Sequence, residues 1–197
     1  MSREQHEKEL YEPIAKFMPE LVVSYHFPPV DSLSIRTATQ LRIKFGSEFP
    51  EHDILTAFLT DSGVKRIYSV EVKYEGGIEN LFSQAQKRST YCDYCYIAVP
   101  LNKWLYGYFS RFLDQYKLHL YYNATFTIGF MIVDMDSGNV GVLHRAKLNR
   151  KLNADLKEKL FRAIWRKGRK QTDNYLQKNQ VITTKQTLLN EKLPENQ

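Results

Sequence analysis

The sequence predicts an α/β fold in which a mixed central β-sheet is flanked by helices. Three patterns in succession predict it: a β-hairpin over residues 53–74, a helix over 78–90, and a short buried strand over 94–99 that is closed by Pro100. Helical periodicity alternating with strand-like runs is typical of helices packed on a sheet, and the hairpin places antiparallel pairing within it. We therefore expect one layered domain.

Length and composition agree with this expectation. A chain of 197 residues, 43% hydrophobic and 25% charged, is long enough for one packed core with some elaboration. We expect a single domain over residues 1–180, with its core at about 3–100 and a polar tail at 181–197. No apolar run approaches the roughly 18 residues of a membrane-spanning helix, and residues 1–12 are polar. A cytoplasmic location follows, or a host-cell location if the protein is of viral or mobile-element origin.

The first third of the chain predicts a helix and two strands. Ser2 and Gln5 have the spacing of a capping box, and apolar residues then recur at helical spacing, which predicts a helix over 3–18. Pro13 lies inside it, so the helix is expected to kink there or to divide in two. Residues 21–27 are rich in β-forming side chains and stop at two prolines, and residues 34–45 form a second β-like segment.

The second half continues with further helices and strands. Aromatic residues at helical spacing predict a helix over 104–116, and apolar runs predict strands over 118–122, 127–135 and 139–144. Asn153 is expected to cap a basic helix that runs to about residue 178.

Positive charge is concentrated near the C-terminus. The net charge is +6, but residues 144–170 hold eleven Lys or Arg against two acids, which gives this segment +9 and leaves −3 for the rest. Such clustering is typical of a protein that contacts nucleic acid, since clustered cations displace the counterions of its phosphates. The alternative is a solvated, lysine-rich helix face. For the first interpretation, the residues that hold the backbone would be Arg145, Lys147, Arg150, Lys151, Arg162, Arg166, Lys167, Arg169 and Lys170.

The hairpin indicates a candidate metal-binding site. If its turn is centred on Ser62, Asp53 lies directly opposite Glu71. Two like charges so placed destabilise a hairpin unless a cation lies between them. A centre shifted by half a residue would instead place Val72 opposite Asp53. Strand alternation puts Glu71 and Lys73 on one face and Val72 on the other, towards the core.

Two carboxylates beside a lysine are suited to a hard divalent cation, Mg²⁺ with Mn²⁺ as a substitute. The metal would be held by Asp53 and Glu71, and Lys73 would orient a water or neutralise charge that develops at phosphorus. The structural alternative is an exposed strand face with a cross-strand ion pair.

At this point the sequence resembles a known superfamily. His52-Asp53, followed eighteen residues on by Glu71-Val72-Lys73, is similar to the PD-(D/E)XK nucleases, with histidine where that pattern usually has proline. The order helix, strands, acid, acid-x-lysine, helix and strand extends the likeness over about residues 3–100, and it is nearest to the archaeal Holliday junction resolvases. The resemblance implies the restriction-endonuclease-like version of the predicted fold.

The resemblance also implies further site residues. The opening helix of such nucleases carries an acid, for which Glu7 fits better than Glu9 or Glu12 because it shares the face of Leu10. The helix after the lysine strand would supply Gln84 to the site and Lys87 and Arg88 to phosphate.

The implied activity is Mg²⁺-dependent hydrolysis of DNA, with an endonuclease favoured over an exonuclease and with junction or branched DNA as a candidate substrate. By analogy, two-strand cleavage suggests a homodimer. The alternatives are a non-catalytic nucleic-acid-binding protein on the same scaffold and a protein-interaction factor.

Overall fold

A seven-stranded sheet with helices on both faces forms the protein. The structure is a computed structural model, and it describes residues 3–26, 33–45, 47–48, 50–74, 78–101, 114, 117 and 128–170. The strands are β1 (Leu33–Arg42), β2 (Glu51–Thr60), β3 (Lys65–Val72), β4 (Tyr94–Leu101), β5 (Gly129–Asp134), β6 (Val140–His144) and β7 (Arg169–Lys170). The helices are α1 (Arg3–Glu9), α2 (Tyr11–Leu21), α3 (Ile78–Arg88) and α4 (Ala154–Lys167).

The sheet is mixed, as predicted. Its strand order is β6-β5-β4-β3-β2-β1-β7, so β3 lies in the middle. The β3–β4 and β4–β5 pairs are parallel. The β1–β2, β2–β3, β5–β6 and β1–β7 pairs are antiparallel. The α/β class with a mixed central sheet flanked by helices is therefore confirmed.

The N-terminal helix is divided, which agrees with the expectation for Pro13. α1 ends at Glu9 and α2 begins at Tyr11, which puts Pro13 in the first turn of α2, where a missing N–H costs little. The strand expected over residues 21–27 is wrong: Leu21 ends α2 and Val22–His26 continue as a π-helical turn. Leu21 and Val22 are fully buried, so packing of this segment on the sheet overrides its β propensity.

Each face of the sheet has its own core. On one face, Leu10, Ile14 and Met18 pack against even-numbered residues of β3, among them Val70 and Val72. On the other face, α4 packs Leu160, Phe161 and Ile164 against Leu55 and Ile67, and α3 packs Leu81 and Ala85 against Ile97. α1 and α2 thus cover one face of β3, and α3 and α4 cover the opposite one.

The last described elements partly correct the prediction for the basic helix. Asn153 caps α4 as expected, because its side chain accepts a hydrogen bond from Leu156 N at 3.0 Å. The helix ends at Lys167 rather than near 178. A Cβ at Gly168 would lie 2.6 Å from the Ile164 carbonyl oxygen, so only glycine fits this turn into β7.

Several predicted elements lie outside the described residues: the helix at 104–116 apart from residue 114, the strand at 118–122, and the tail at 181–197. Among the helices that are described, none has the length and apolar character needed to cross a membrane.

Candidate functional site

The candidate site lies where the start of β2 meets the end of β3. The β2–β3 ladder follows the predicted register, with Leu55 opposite Ser69 and Ile54 opposite Val70, so the turn is centred on Ser62. Asp53 and Glu71 would be the next pair, but the ladder stops one residue before them. Their side chains consequently take different partners.

Asp53 is held on the face that α1 and α2 cover. Its Oδ1 accepts a hydrogen bond from the Tyr11 hydroxyl at 3.1 Å, and its Oδ2 accepts one from the backbone N–H of Val72 at 2.8 Å. Burial raises the pKa of Asp53 above its ordinary value, although both of these hydrogen bonds and the charge of Lys73 act in the lowering direction. The Asp53 carboxylate is therefore fixed in orientation by two contacts, one from the first residue of α2 and one from the last residue of β3.

Lys73 and Glu7 form an ion pair beside Asp53. Lys73 Nζ lies 2.8 Å from Glu7 Oε1, and the Lys73 backbone N–H donates to the Ala98 carbonyl at 3.0 Å. Glu7 Oε1 is buried and has no aligned hydrogen-bond donor, so the contact is electrostatic rather than directional. The negative charge of Glu7 acts on the pKa of Asp53 in the same raising direction as burial.

The preference for Glu7 over its neighbours agrees with its placement. The Glu7 side chain is 16% exposed, whereas Glu9 and Glu12 are exposed residues. His6 stacks on Tyr74 with ring centroids 4.7 Å apart, which fixes α1 against the chain just beyond Lys73.

Glu71 lies on the opposite face and is buried. Its Oε1 accepts hydrogen bonds from Arg88 Nε at 2.9 Å and from the Ser69 hydroxyl at 3.3 Å. The side chain is 2% exposed, and this burial raises its pKa while the Arg88 charge lowers it. Glu71 and Arg88 therefore tie β3 to α3 through a desolvated ion pair.

Two predictions are corrected here. Arg88 does not face phosphate, because its Nη2 donates to the Glu51 carbonyl at 2.7 Å, its Nη1 to the Tyr91 hydroxyl at 3.1 Å and its Nε to Glu71. Glu71 and Lys73 do not share a face either, since β3 ends at Val72 and Lys73 turns to Glu7 on the far side. Val72 does point into the core, as expected.

His52 occupies an apolar pocket next to the site. Both ring nitrogens are buried without a hydrogen-bond partner, and the ring lies edge-on to Tyr91 with centroids 5.8 Å apart. Burial, with a smaller contribution from the Arg88 charge, lowers the pKa of His52 to about 3. The imidazole is therefore neutral at physiological pH.

Of two possible carboxylate pairs for a divalent ion, Asp53 with Glu71 and Asp53 with Glu7, the second fits better. Asp53 and Glu71, the expected ligand pair, take their hydrogen bonds on opposite faces of the sheet, and Arg88 is bound to the Glu71 carboxylate, so this pair fits a shared ion less well. The charge of Asp53 still raises the pKa of Glu71. Asp53 and Glu7 fit better, because both are on the α1 side and Glu7 Oε1 is a buried oxygen whose contact is the Lys73 ammonium at 2.8 Å, which an ion at this position would have to displace. Across the described ranges, no three His, Cys, Asp or Glu side chains converge as a metal-binding group. One or two carboxylates suffice for Mg²⁺ when substrate phosphate and water complete its shell.

The remaining predicted residues lie on α3, which covers the opposite face of the sheet, and in the C-terminal segment. Gln84 is exposed on α3, one turn before Arg88, and Lys87 is exposed at the end of the same helix. All nine cations predicted for the C-terminal segment are exposed: Arg145, Lys147, Arg150, Lys151, Arg162, Arg166, Lys167, Arg169 and Lys170.

The sequence analysis did not identify Tyr11. Its position four residues after Glu7, on the stripe of a helical pattern, was a signal that could have identified it.

Comparison with known proteins gives no family. No protein-family model matches the chain, and no curated protein matches it. Among solved structures, the chain is similar to SPO1766, a protein of unknown function from Silicibacter pomeroyi, with 14% identity, a TM-score of 0.43, and coverage of 66% of this chain and 72% of that one. No functional statement is carried over from that protein.

Proposed function

We propose that the protein is a divalent-metal-dependent nuclease that hydrolyses DNA phosphodiester bonds at the Glu7, Asp53 and Lys73 cluster. One observation carries the proposal: at the end of β3, Lys73 pairs with Glu7 of α1 at 2.8 Å, and the backbone N–H of the preceding residue, Val72, holds the Asp53 carboxylate of β2. The concentration of positive charge in residues 144–170 supports a polyanionic substrate. The similarity to the PD-(D/E)XK pattern at Asp53 and Lys73 supports the reaction type.

In this proposal Asp53 and Glu7 hold the ion, Mg²⁺ or Mn²⁺. When bound, such an ion stabilises charge on the phosphodiester and lowers the pKa of a coordinated water. Tyr11 and the Val72 N–H hold the Asp53 carboxylate in one orientation. Lys73, kept in place by Glu7, neutralises charge that develops on the phosphate oxygens during attack.

The same proposal changes the role of Glu71. Its ion pair with Arg88 makes it a positioning residue that fixes the end of β3. Glu7 takes the metal-binding role that was expected for Glu71. Gln84, predicted as a site residue, is exposed on α3 on the opposite face of the sheet, and the proposal gives it no role at the Glu7, Asp53 and Lys73 cluster.

The wider setting belongs to the proposal as well. We expect endonuclease activity on junction or branched DNA in the cytoplasm, and a homodimer with two-fold symmetry, because one such site cuts one strand. The dimer and the substrate shape rest on analogy with the restriction-endonuclease-like nucleases.

Cleavage assays with matched variants test the proposal. Plasmid, linear duplex and four-way junction DNA are incubated with Mg²⁺ or Mn²⁺ and with the parent protein, Asp53→Asn, Lys73→Met or Glu7→Gln. We expect metal-dependent cleavage by the parent and at least a hundredfold loss in each variant. Glu20→Gln, an exposed acid near the end of α2, is the control and should cleave like the parent.

A second function is favoured by one observation: the expected catalytic acid Glu71 is buried and paired with Arg88. A protein that binds nucleic acid without cutting it would show salt-sensitive DNA binding in the parent and in all three variants, with no cleavage by any of them. That result overturns the nuclease proposal. Absence of any salt-dependent DNA binding would instead favour the protein-interaction factor.

A further inference from the structure

A positively charged groove lies between the end of β1 and α4. It has a volume of about 570 Å³, and the charged residues that line it are two acids, Asp155 and Glu158, and six cations. The cations come from two elements that are far apart in the sequence: Arg42, Lys44, Lys159, Arg162, Arg166 and Lys167.

The arrangement of these cations follows from local structure. Lys159, Arg162 and Arg166 are spaced three and four residues apart, so they form one stripe along α4. Arg42 and Lys44 flank Ile43, which is buried, and both are exposed on the other side of the chain. The stripe and the end of β1 thus face each other across the groove.

Of the two acids in the groove, Glu158 is already engaged. Glu158 accepts Arg162 Nε at 2.9 Å and also pairs with Lys65 at 3.1 Å, while Asp155 lies in the first turn of α4. The lining therefore retains an excess of positive charge in a concave surface, where field lines are concentrated.

A second cleft, of about 510 Å³, continues from the first. It shares Arg42 and Lys167 with the groove, adds Arg169, and reaches Glu12 on α2, the residue after Tyr11. The basic surface thus runs around the β1 edge towards the helix that orients Asp53.

We infer that the groove between β1 and α4 binds the phosphate backbone of DNA and leads it around the β1 edge towards the Asp53 cluster. The inference deepens the proposed function and rests on it for the identity of the polyanion. It also refines the sequence-based assignment: it adds Arg42 at the end of β1 and Lys44 just beyond it, and it expects a smaller contribution to binding from residues 145–151, which do not line the groove.

Anisotropy of labelled duplex DNA, titrated with the full chain in EDTA between 50 and 200 mM salt, tests the inference. The negative slope of log K against log salt should become shallower by about two in Arg162→Gln/Arg166→Gln and by about one in Arg42→Gln. At 100 mM salt the double variant should bind at least tenfold more weakly. Circular dichroism confirms the fold of each variant.

Two control pairs remove the same charge elsewhere. Lys16→Gln/Lys117→Gln changes side chains that are 72% and 75% exposed and lie outside the groove, and it should bind within twofold of the parent. Arg150→Gln/Lys151→Gln lies in the basic segment but off the groove, and it should lose less than the groove pair. Equal losses in all three pairs, or an unchanged slope in Arg42→Gln, would overturn the inference.

The binding and cleavage assays distinguish failure of the groove assignment from failure of the nuclease proposal. Groove-dependent binding without cleavage by any metal-loaded sample leaves the groove assignment standing and overturns the nuclease. Cleavage by the parent together with unchanged binding in the groove pair overturns the groove and leaves the nuclease.

Discussion

Glu71 and Lys73 are two residues apart, yet their charges are fixed on opposite faces of the sheet. Glu71 Oε1 accepts the Arg88 Nε hydrogen bond at 2.9 Å from α3, and Lys73 Nζ lies 2.8 Å from Glu7 Oε1 on α1. The end of β3 is thus held by one ion pair on each side. The two pairs differ in solvation, because Glu71 is 2% exposed and Lys73 is 27% exposed.

That difference predicts unequal stability effects. Arg88→Met should lower the free energy of unfolding by about 3–5 kcal/mol, because it leaves the buried Glu71 carboxylate without a partner. Lys73→Met should cost about 1 kcal/mol at most, since its pair is partly hydrated. Urea denaturation at pH 7 measures both.

The pH dependence of Arg88→Met gives an independent check. Burial holds the pKa of Glu71 above its unfolded value, and loss of Arg88 removes a lowering influence. A raised carboxyl pKa means that the folded state binds the proton more tightly, so the variant should recover stability as pH falls from 7 towards 5. A loss below 1 kcal/mol with no recovery would show that the pair is not structural.

The sequence predicted the hairpin, and the observed register is one of the two that its turn allowed, because both depend on local features. The turn Asp61-Ser62-Gly63 centres the pairing, and Gly63 adopts a positive φ of 82° that few other residues tolerate. The division of the first helix was likewise foreseen from Pro13.

The directions of the site residues could not be predicted in the same way. Alternation holds only within a strand, and β3 ends at Val72 because the following chain is drawn to α1. The resemblance assigned Arg88 to phosphate, but Glu71 and Tyr91 hold it inside. Such contacts are tertiary and leave no local pattern.

Removal of the Tyr11 hydroxyl should alter the pH profile of cleavage. The Tyr11 hydrogen bond lowers the pKa of Asp53, so Tyr11→Phe should raise that pKa and shift the acid limb of the rate to higher pH. One hydrogen bond of about 1 kcal/mol corresponds to a loss of roughly fivefold at acid pH and little loss at pH 8.

Tyr74→Phe is the matched control for this prediction, because it keeps the ring that stacks on His6. Its profile should follow that of the parent in cleavage rates measured between pH 5 and 9. An equal loss at every pH in Tyr11→Phe would mean that the hydroxyl does not act through Asp53.

The buried histidine predicts a gain of stability on substitution. His52→Phe keeps an aromatic ring against Tyr91 and Phe45 and removes two buried nitrogens without partners, so it should stabilise by about 1–2 kcal/mol at pH 7.

The advantage of His52→Phe should grow as pH falls. The pKa of His52 is about 3 in the folded protein and near 6.5 unfolded, so the unfolded parent binds a proton below pH 6.5 that the folded parent does not. The parent therefore loses stability between pH 6.5 and about 3 relative to the variant. Parallel stability curves for the two proteins, in urea titrations from pH 7.5 to 5, would contradict the burial of a neutral imidazole.

The start of α4 provides a last prediction, about the helix that carries the groove cations. Asn153 Oδ1 accepts the Leu156 N–H at 3.0 Å, and its own backbone N–H donates to the Thr90 carbonyl at 2.8 Å. Asn153→Ala should lower the free energy of unfolding by about 1 kcal/mol, since one N–H at the helix start loses its acceptor. Asn153→Asp keeps an acceptor oxygen and adds a negative charge at the positive end of the helix dipole, so its stability in the same thermal and urea measurements should stay within about 0.5 kcal/mol of the parent. If Asp were as damaging as Ala, the side-chain cap would not be the source of the effect, because the backbone bond to Thr90 is the same in all three proteins.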